Sequence, residues 1–111
     1  MESSLLLGTL ELLVLKALSL EPMHGWGMAQ RIEQMSNGVF EVNQGSLYPA
    51  LQRMKRKGWV KSEFRPSENN RHARYYMLTP AGRKQLSIER KEFERSTAAV
   101  FRVLDWAGGV A

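Results

Sequence analysis

Apolar residues in the first half of the chain recur every three or four positions, which is the spacing of one face of an α-helix. This spacing predicts a first helix over Leu10–Leu18, a second over about His24–Met35 and a third over Ser46–Lys57. Thr9 is the predicted N-cap of the first helix, and Gly58 ends the third. The predicted buried faces are Met28, Ala29, Ile32 and Met35 in the second helix and Leu47, Ala50, Leu51 and Met54 in the third.

Pro49 constrains where the third helix begins, because proline is tolerated only in the first turn of a helix. If Ser46 is the N-cap, Pro49 is the third helical residue and no internal hydrogen bond is lost. A start at Gln44 would instead predict a kink. The sequence therefore favours the later start.

The hydrophobic pattern changes in the middle of the chain. Trp59–Arg65 and Arg74–Leu78 are rich in aromatic and branched residues and partly alternate, which predicts two strands. They would form a hairpin whose tip, Pro66–His72, is too long and polar for a two-residue turn. Tyr75 and Tyr76 point to opposite faces, so one of them is expected in the core, and alternation leaves open which.

A long helix follows the hairpin. Thr79 and Pro80 form an N-cap and first-position pair, and the helix is predicted to continue to about Ala107. A single helix of this length cannot bury itself on a small domain, and such helices usually have a partner helix. Its apolar residues are spaced close to a heptad. We expect the first and last helices to form a dimer interface containing Leu5, Leu12, Leu15, Leu86, Phe93, Val100, Phe101 and Leu104.

The order of these elements defines a fold class that is mainly α with a small β-hairpin. Three helices followed by a hairpin are the arrangement of a winged helix-turn-helix. With 111 residues, the chain is long enough for one compact unit. We predict a winged-helix DNA-binding domain over residues 1–79 and a C-terminal dimerisation helix over residues 80–111.

The positive charge is concentrated in the middle of the chain. The net charge is +5, and residues 43–78 hold eight Lys/Arg against two Asp/Glu, whereas residues 1–42 hold two against five. A recognition helix packs one face on its domain and offers polar groups of the other face to DNA. The predicted contacts of the third helix are Ser46, Tyr48, Gln52, Arg53, Lys55 and Arg56, and those of the hairpin are Lys61, Asn69, Asn70, Arg71, His72 and Arg74.

These side chains differ in what they can recognise. Gln52 suits adenine, and Arg53 or Arg56 suits guanine, with about 1 to 3 kcal/mol of discrimination for each bidentate contact. Taken alone, the Lys55–Lys57 cluster is better explained as a solvated helix end than as a DNA contact, because the helix dipole favours cations at a C-terminus. The excess of positive charge continues through Lys61, Arg65, Arg71 and Arg74. A role in capping the helix does not explain these residues.

Other function classes lack the residues they need. The chain has no cysteine, and its histidines, His24 and His72, stand apart, so we expect no metal site and no cofactor. Ser46 has no plausible base beside it, and the sequence predicts no enzyme. The leucine-rich run near the N-terminus is interrupted by Lys16 and has no cationic leader, so we expect no signal peptide or membrane span and a cytoplasmic location.

Several segments together resemble the PadR family of bacterial transcriptional regulators. The most specific are Ser46-Leu-Tyr-Pro and Tyr75-Tyr-x-Leu-Thr-x-x-Gly, within a similarity from about Leu5 to Gly82. The resemblance implies a dimer held by the C-terminal helix packing with the first helix, and usually repression of nearby genes. It places the recognition residues at Ser46, Tyr48, Gln52 and Arg53.

The leading hypothesis is a dimeric repressor that binds a pseudo-palindromic operator in double-stranded DNA. The alternative is a winged-helix module for protein contact without specific DNA binding, because fold does not fix function. A further hypothesis is a small, flat hydrophobic effector between the C-terminal helices, near Phe93 and Trp106.

Overall fold

The computed structural model describes the backbone of residues 4–66 and 72–109, and the side chains from residue 9 onward within those ranges. It contains four helices and three strands: α1 (Ser4–Leu20), β1 (Met23–His24), α2 (Gly25–Met35), α3 (Gln44–Arg56), β2 (Val60–Pro66), β3 (His72–Leu78) and α4 (Pro80–Leu104). The predicted fold class is confirmed: three helices, a hairpin and a long last helix form a winged helix-turn-helix with an added C-terminal helix.

The predicted helix ends were less accurate than the helices themselves. α1 begins at Ser4, so Thr9 lies inside the helix and its predicted role as N-cap was wrong. The leucine-rich segment before Thr9 continues the helix rather than leading into it. α4 begins at Pro80 after the N-cap Thr79, as predicted, but it ends at Leu104 with Asp105 as C-cap instead of at Ala107.

The hairpin is one part of a three-stranded antiparallel sheet with the order β1-β3-β2. β2 and β3 pair from Val60 opposite Leu78 to Pro66 opposite His72. Pro66 and His72 therefore belong to the strands, and not to the hairpin tip as predicted. β1 adds a short edge, with Met23 opposite Tyr76. The sequence did not predict β1, because two residues are too few to show alternation.

The core lies between the three helices and the sheet. Its fully buried side chains include Val14, Leu15, Met28, Ile32, Leu47, Leu51 and Met54. Tyr76 is 2% exposed, which answers which of the two neighbouring tyrosines is buried. Met35, predicted to face the core, is 46% exposed, and that prediction was wrong. Met35 is the last residue of α2, where the chain turns away from the core.

α4 is fixed to the rest of the fold at its first turn. The Thr79 hydroxyl oxygen accepts a hydrogen bond from the Gly82 amide at 3.0 Å and donates to the Gly58 carbonyl at 2.7 Å. Gly82 is buried, and a Cβ atom there would collide with the Trp59 backbone carbonyl. The start of α4 therefore packs directly on the segment that joins α3 to β2.

The molecule is elongated, with principal extents of 63 × 28 × 21 Å. None of the helices within the described ranges is both long and apolar enough to cross a bilayer.

Candidate nucleic-acid interface

α3 has one face in the core and another open to solvent. Its buried residues are the four predicted ones: Leu47, Ala50, Leu51 and Met54. Tyr48, Gln52, Lys55 and Arg56 are exposed. α3 carries basic residues in its last turn and no acidic residue anywhere. This helix therefore presents hydrogen-bonding and cationic groups to solvent, while its opposite face is held in the core.

The N-terminus of α3 lies earlier than expected. Asn43 is the N-cap, and its Oδ1 accepts a hydrogen bond from the Ser46 amide at 2.8 Å. The prediction that Ser46 is the N-cap was wrong, because Asn43 caps equally well and lies one turn earlier. Ser46 is half-buried in the first turn. Pro49 lies inside the helix, where it cannot donate to the carbonyl of Gly45.

Tyr48 lies against the first turn of α2. The ring is 42% exposed, and its hydroxyl end lies over Gly25: a Cβ built on Gly25 would be 2.5 Å from the Tyr48 Oη atom. The sequence predicted Tyr48 at the interface but did not single out Gly25. No short-range pattern could have found this contact, because the two residues belong to different helices.

Tyr76 of β3 belongs to the core, and the residue is 2% exposed. Burial raises the pKa of Tyr76 above its ordinary value of 10.0, and the neighbouring Tyr48 adds to the rise, while the positive charge of Arg74 opposes it. Tyr48 and Arg74 thus both lie close enough to affect the same phenol.

Arg53 differs from its neighbours on α3. It is half-buried, and its Nε donates to Oε2 of Glu11 in α1 at 3.1 Å. The Glu11 side chain is only 15% exposed. The sequence predicts that Arg53 lies on the outer side of α3 and can pair with guanine. In the structure its side chain is 38% exposed, lies on the flank of α3 and is tied to α1, and its contact with DNA stays a prediction. Glu11 was missed because the contact spans 42 residues in sequence.

The inner face of the wing holds a fixed cation. The Arg74 guanidinium stacks on the Phe64 ring at 4.1 Å, and its Nη1 donates to the Ser62 hydroxyl at 3.0 Å. Lys61 and His72 are exposed on the same two strands. Three predicted wing contacts, Asn69, Asn70 and Arg71, lie outside the described residues.

The outer face of the sheet is aromatic. The Tyr75 ring packs edge-on against His24, with centroids 5.3 Å apart, and the Arg65 guanidinium lies 5.4 Å from the Tyr75 ring centre. His24 also caps α2, since its Nδ1 accepts from the Gly27 amide at 3.0 Å. His24 is thereby a structural residue at the start of α2. Among the described residues, no cluster of ligating side chains could hold a metal ion.

The predicted dimer residues divide into two groups. Leu15 is completely buried, and Leu86 is partly buried against the same core, so both pack inside their own protomer. The prediction that Leu15 projects away from the core was wrong. On α4, Phe93, Val100, Phe101 and Leu104 are 39%, 51%, 56% and 69% exposed. Leu12 is half-buried on α1, and the side chain of Leu5 lies outside the described residues.

The placement of α3 beside the hairpin and the comparison with known proteins indicate the same class of protein. A helix with one face in the core and a polar outer face, beside a basic β-hairpin, is the arrangement of a winged-helix regulator. Residues 14–88 match the model of the transcriptional regulator PadR-like family. The chain belongs to this family, which confirms the resemblance seen in the sequence. Members are transcriptional regulators rather than enzymes.

Three similar proteins illustrate the relationship. A protein of 37.1 kDa in a transposon of Streptomyces fradiae is 40% identical over 82% of this chain, and the chain spans only 25% of that protein. A transcriptional regulator of Mycobacterium tuberculosis is 36% identical over 65% of this chain and 64% of its own length. The crystal structure of a PadR-like transcriptional regulator from Bacillus cereus is 25% identical, covers 94% of this chain and 99% of its own, and gives a TM-score of 0.77.

Proposed function

We propose that the protein is a sequence-specific DNA-binding repressor that acts as a homodimer on a pseudo-palindromic operator. The observation that carries the proposal is the two-sided character of α3, in which four core residues alternate with the exposed Tyr48, Gln52, Lys55 and Arg56. One face anchors the helix, and the other presents groups that can contact base edges and phosphates.

Each exposed side chain has an expected partner in this proposal. Gln52 and Arg56 lie on the outermost line of α3 and read bases, whereas Lys55 and Lys61 contact phosphates. Arg74 approaches the DNA backbone from the wing, held by Phe64. We propose that Arg53 and Ser46 contact DNA from the flank of the helix, and that an adjacent groove is contacted by His72, Asn69, Asn70 and Arg71.

A second copy of the chain is the proposed partner of α4. The accessible surface is 7813 Å², about a quarter more than the roughly 6,200 Å² expected for a compact monomer of this mass. Large apolar side chains contribute to that surface on the C-terminal half of α4. We propose that α4 pairs with the partner's helices, so that residues 80–111 dimerise the protein and residues 1–79 bind DNA.

In such a dimer, the two α3 helices would contact two half-sites about one or two turns of B-DNA apart. Because its target would be chromosomal DNA, the protein would act in the cytoplasm.

One feature supports the hypothesis of a small hydrophobic effector. An open, mainly apolar hollow of 680 Å³ lies at the end of α4 and is lined by Trp106, Ala98 and Phe101. Phe93 is not among the residues that line it.

A gel-shift titration with the DNA upstream of the protein's own gene tests the proposal. We expect a retarded band that resists a large excess of unrelated duplex DNA. A band lost equally to any competitor would contradict sequence-specific binding and would favour the alternative, a module for protein contact. Quenching of tryptophan fluorescence by a planar cationic dye, lost in Trp106→Phe, tests the effector hypothesis separately.

A further inference from the structure

Tyr48, the exposed tyrosine of α3, is the closest neighbour of a Cβ atom placed on Gly25, the first residue of α2. The three heavy atoms nearest to a Cβ built on Gly25 all belong to Tyr48: Oη at 2.5 Å, Cζ at 2.8 Å and Cε1 at 3.0 Å. Real Cβ atoms essentially never approach another heavy atom as closely as the first two distances require. The hydroxyl end of Tyr48 therefore occupies the space that any side chain at position 25 would need.

The backbone itself does not require glycine at this position. Positive φ angles in the described glycines occur at Gly38, Gly58 and Gly108, and not at Gly25. Alanine also restricts the unfolded chain more than glycine does, which favours the folded state where the backbone suits both residues. What glycine provides here is space for Tyr48.

The neighbour that must move is a flexible one. Tyr48 is 42% exposed, so its ring can rotate into solvent when a methyl group is added at Gly25. Such a rotation disturbs the fold little, because the core side of α3 is made by other residues, such as Leu47 and Leu51. It would, however, move the hydroxyl away from the first turn of α2, and so change where the exposed face of α3 presents it.

We propose that Gly25 is a positioning residue for DNA binding: by lacking a side chain, it seats Tyr48 so that the Tyr48 hydroxyl is held at the recognition surface. Gly25 itself contacts no DNA. The inference rests on the proposed function, because Tyr48 must contact DNA for its position to matter.

The first experiment measures affinity for a duplex selected from a random DNA library by the wild-type protein. Gly25→Ala is expected to weaken binding about tenfold, the loss of one hydrogen bond to a charged group, with a thermal midpoint equal to or above that of the wild type. Gly27→Ala is the matched control, because it lies in the same turn and its Cβ would meet His24 and not Tyr48. It should bind as the wild type does.

A double-mutant cycle distinguishes positioning from a general effect on the fold. In a Tyr48→Ala background, Gly25→Ala should cause no further loss of affinity, because no ring is left to displace. Equal losses in both backgrounds would overturn the proposal.

The second experiment follows the ring without DNA. The chain has three tyrosines, so 3-fluorotyrosine labelling gives three ¹⁹F resonances, and the one absent in Tyr48→Phe belongs to Tyr48. Gly25→Ala should move this resonance toward that of a solvent-exposed tyrosine, and an unmoved resonance would overturn the proposal. A moved resonance with unchanged affinity would overturn the role in DNA binding. If the library yields no selected duplex, the proposed function fails, and the ¹⁹F shift alone then reports that Gly25 seats Tyr48.

Discussion

Glu11 of α1 and Arg53 of α3 form an ion pair across the helix packing, with 3.1 Å between Oε2 and Nε. The carboxylate is the more shielded partner, at 15% side-chain exposure against 38% for the arginine. The pair fixes the C-terminal half of α3 to the first helix. Arg53 consequently has a structural role in addition to its proposed contact with DNA.

Removing Arg53 should lower the stability of the fold. Arg53→Ala leaves the shielded carboxylate of Glu11 without its cation, and we expect the free energy of unfolding to fall by about 1 to 3 kcal/mol. Arg56→Ala, at an exposed position of the same helix, should change it by less than about 0.5 kcal/mol. Urea denaturation of the two variants tests this, and equal stabilities would contradict the structural role of the pair.

Arg56 is therefore the cleaner test of base reading. Arg56→Ala should reduce the preference for one base pair in each half-site by about 1 to 3 kcal/mol. Lys61→Ala should instead weaken binding to all sequences equally. It should also reduce the slope of log binding constant against log salt concentration by about one, because one fewer counterion is released. Competition binding with single-base operator variants at several salt concentrations separates the two effects. The assignment fails if both variants alter sequence preference to the same extent.

The exposed side of α4 predicts how the dimer is held. Phe101→Glu places a charge on the proposed seam and should raise the dimer dissociation constant by about tenfold or more. Arg95→Glu makes a larger change of charge at an exposed position on the opposite side of α4 from Phe93, Val100 and Leu104, and should leave the association unchanged. Sedimentation equilibrium measures both constants. Equal effects of the two variants would contradict the seam on this side of α4.

Thr79 should be important for anchoring α4. Thr79→Ala removes the acceptor for the Gly82 amide and the donor to the Gly58 carbonyl, and should cost about 1 to 2 kcal/mol of unfolding free energy. Thr79→Ser keeps the hydroxyl and should lie close to the wild type. Thermal or urea unfolding compares them, and a serine variant as unstable as the alanine variant would show that the hydroxyl is not what matters.

The buried phenol of Tyr76 predicts a loss of stability at alkaline pH. Burial raises its pKa in the folded state, so the unfolded chain releases this proton first as the pH rises. The stability that the raised pKa of Tyr76 adds to the folded state is fully present below the ordinary pKa of 10.0 and is lost as the pH rises above it. Tyr76→Phe should lose stability less steeply over this range. Denaturation at pH 8 to 11 measures both slopes, and identical slopes would contradict the assignment.

The periodic parts of the fold were predictable because their causes are local. The spacing of Leu47, Ala50, Leu51 and Met54 identified the buried face of α3, and Thr79 with Pro80 identified the start of α4. Local capping rules alone could not choose between Asn43 and Ser46 as the N-cap of α3, since both residues suit that position.

The contacts that shape the candidate site are long-range and could not be found in this way. Glu11 with Arg53, Gly25 with Tyr48 and the pairing of β1 with β3 join residues far apart in sequence. Leu15 was assigned to an outer surface because α1 is apolar on nearly all sides, and only the tertiary packing shows which side faces the core.

The most direct measurement of the central claim is hydroxyl-radical footprinting on the DNA upstream of the protein's own gene. We expect two protected segments of related, inverted sequence, with centres about one or two helical turns apart, both lost in Arg56→Ala at the same protein concentration. Uniform protection along the fragment, or protection that Arg56→Ala leaves unchanged, would contradict it.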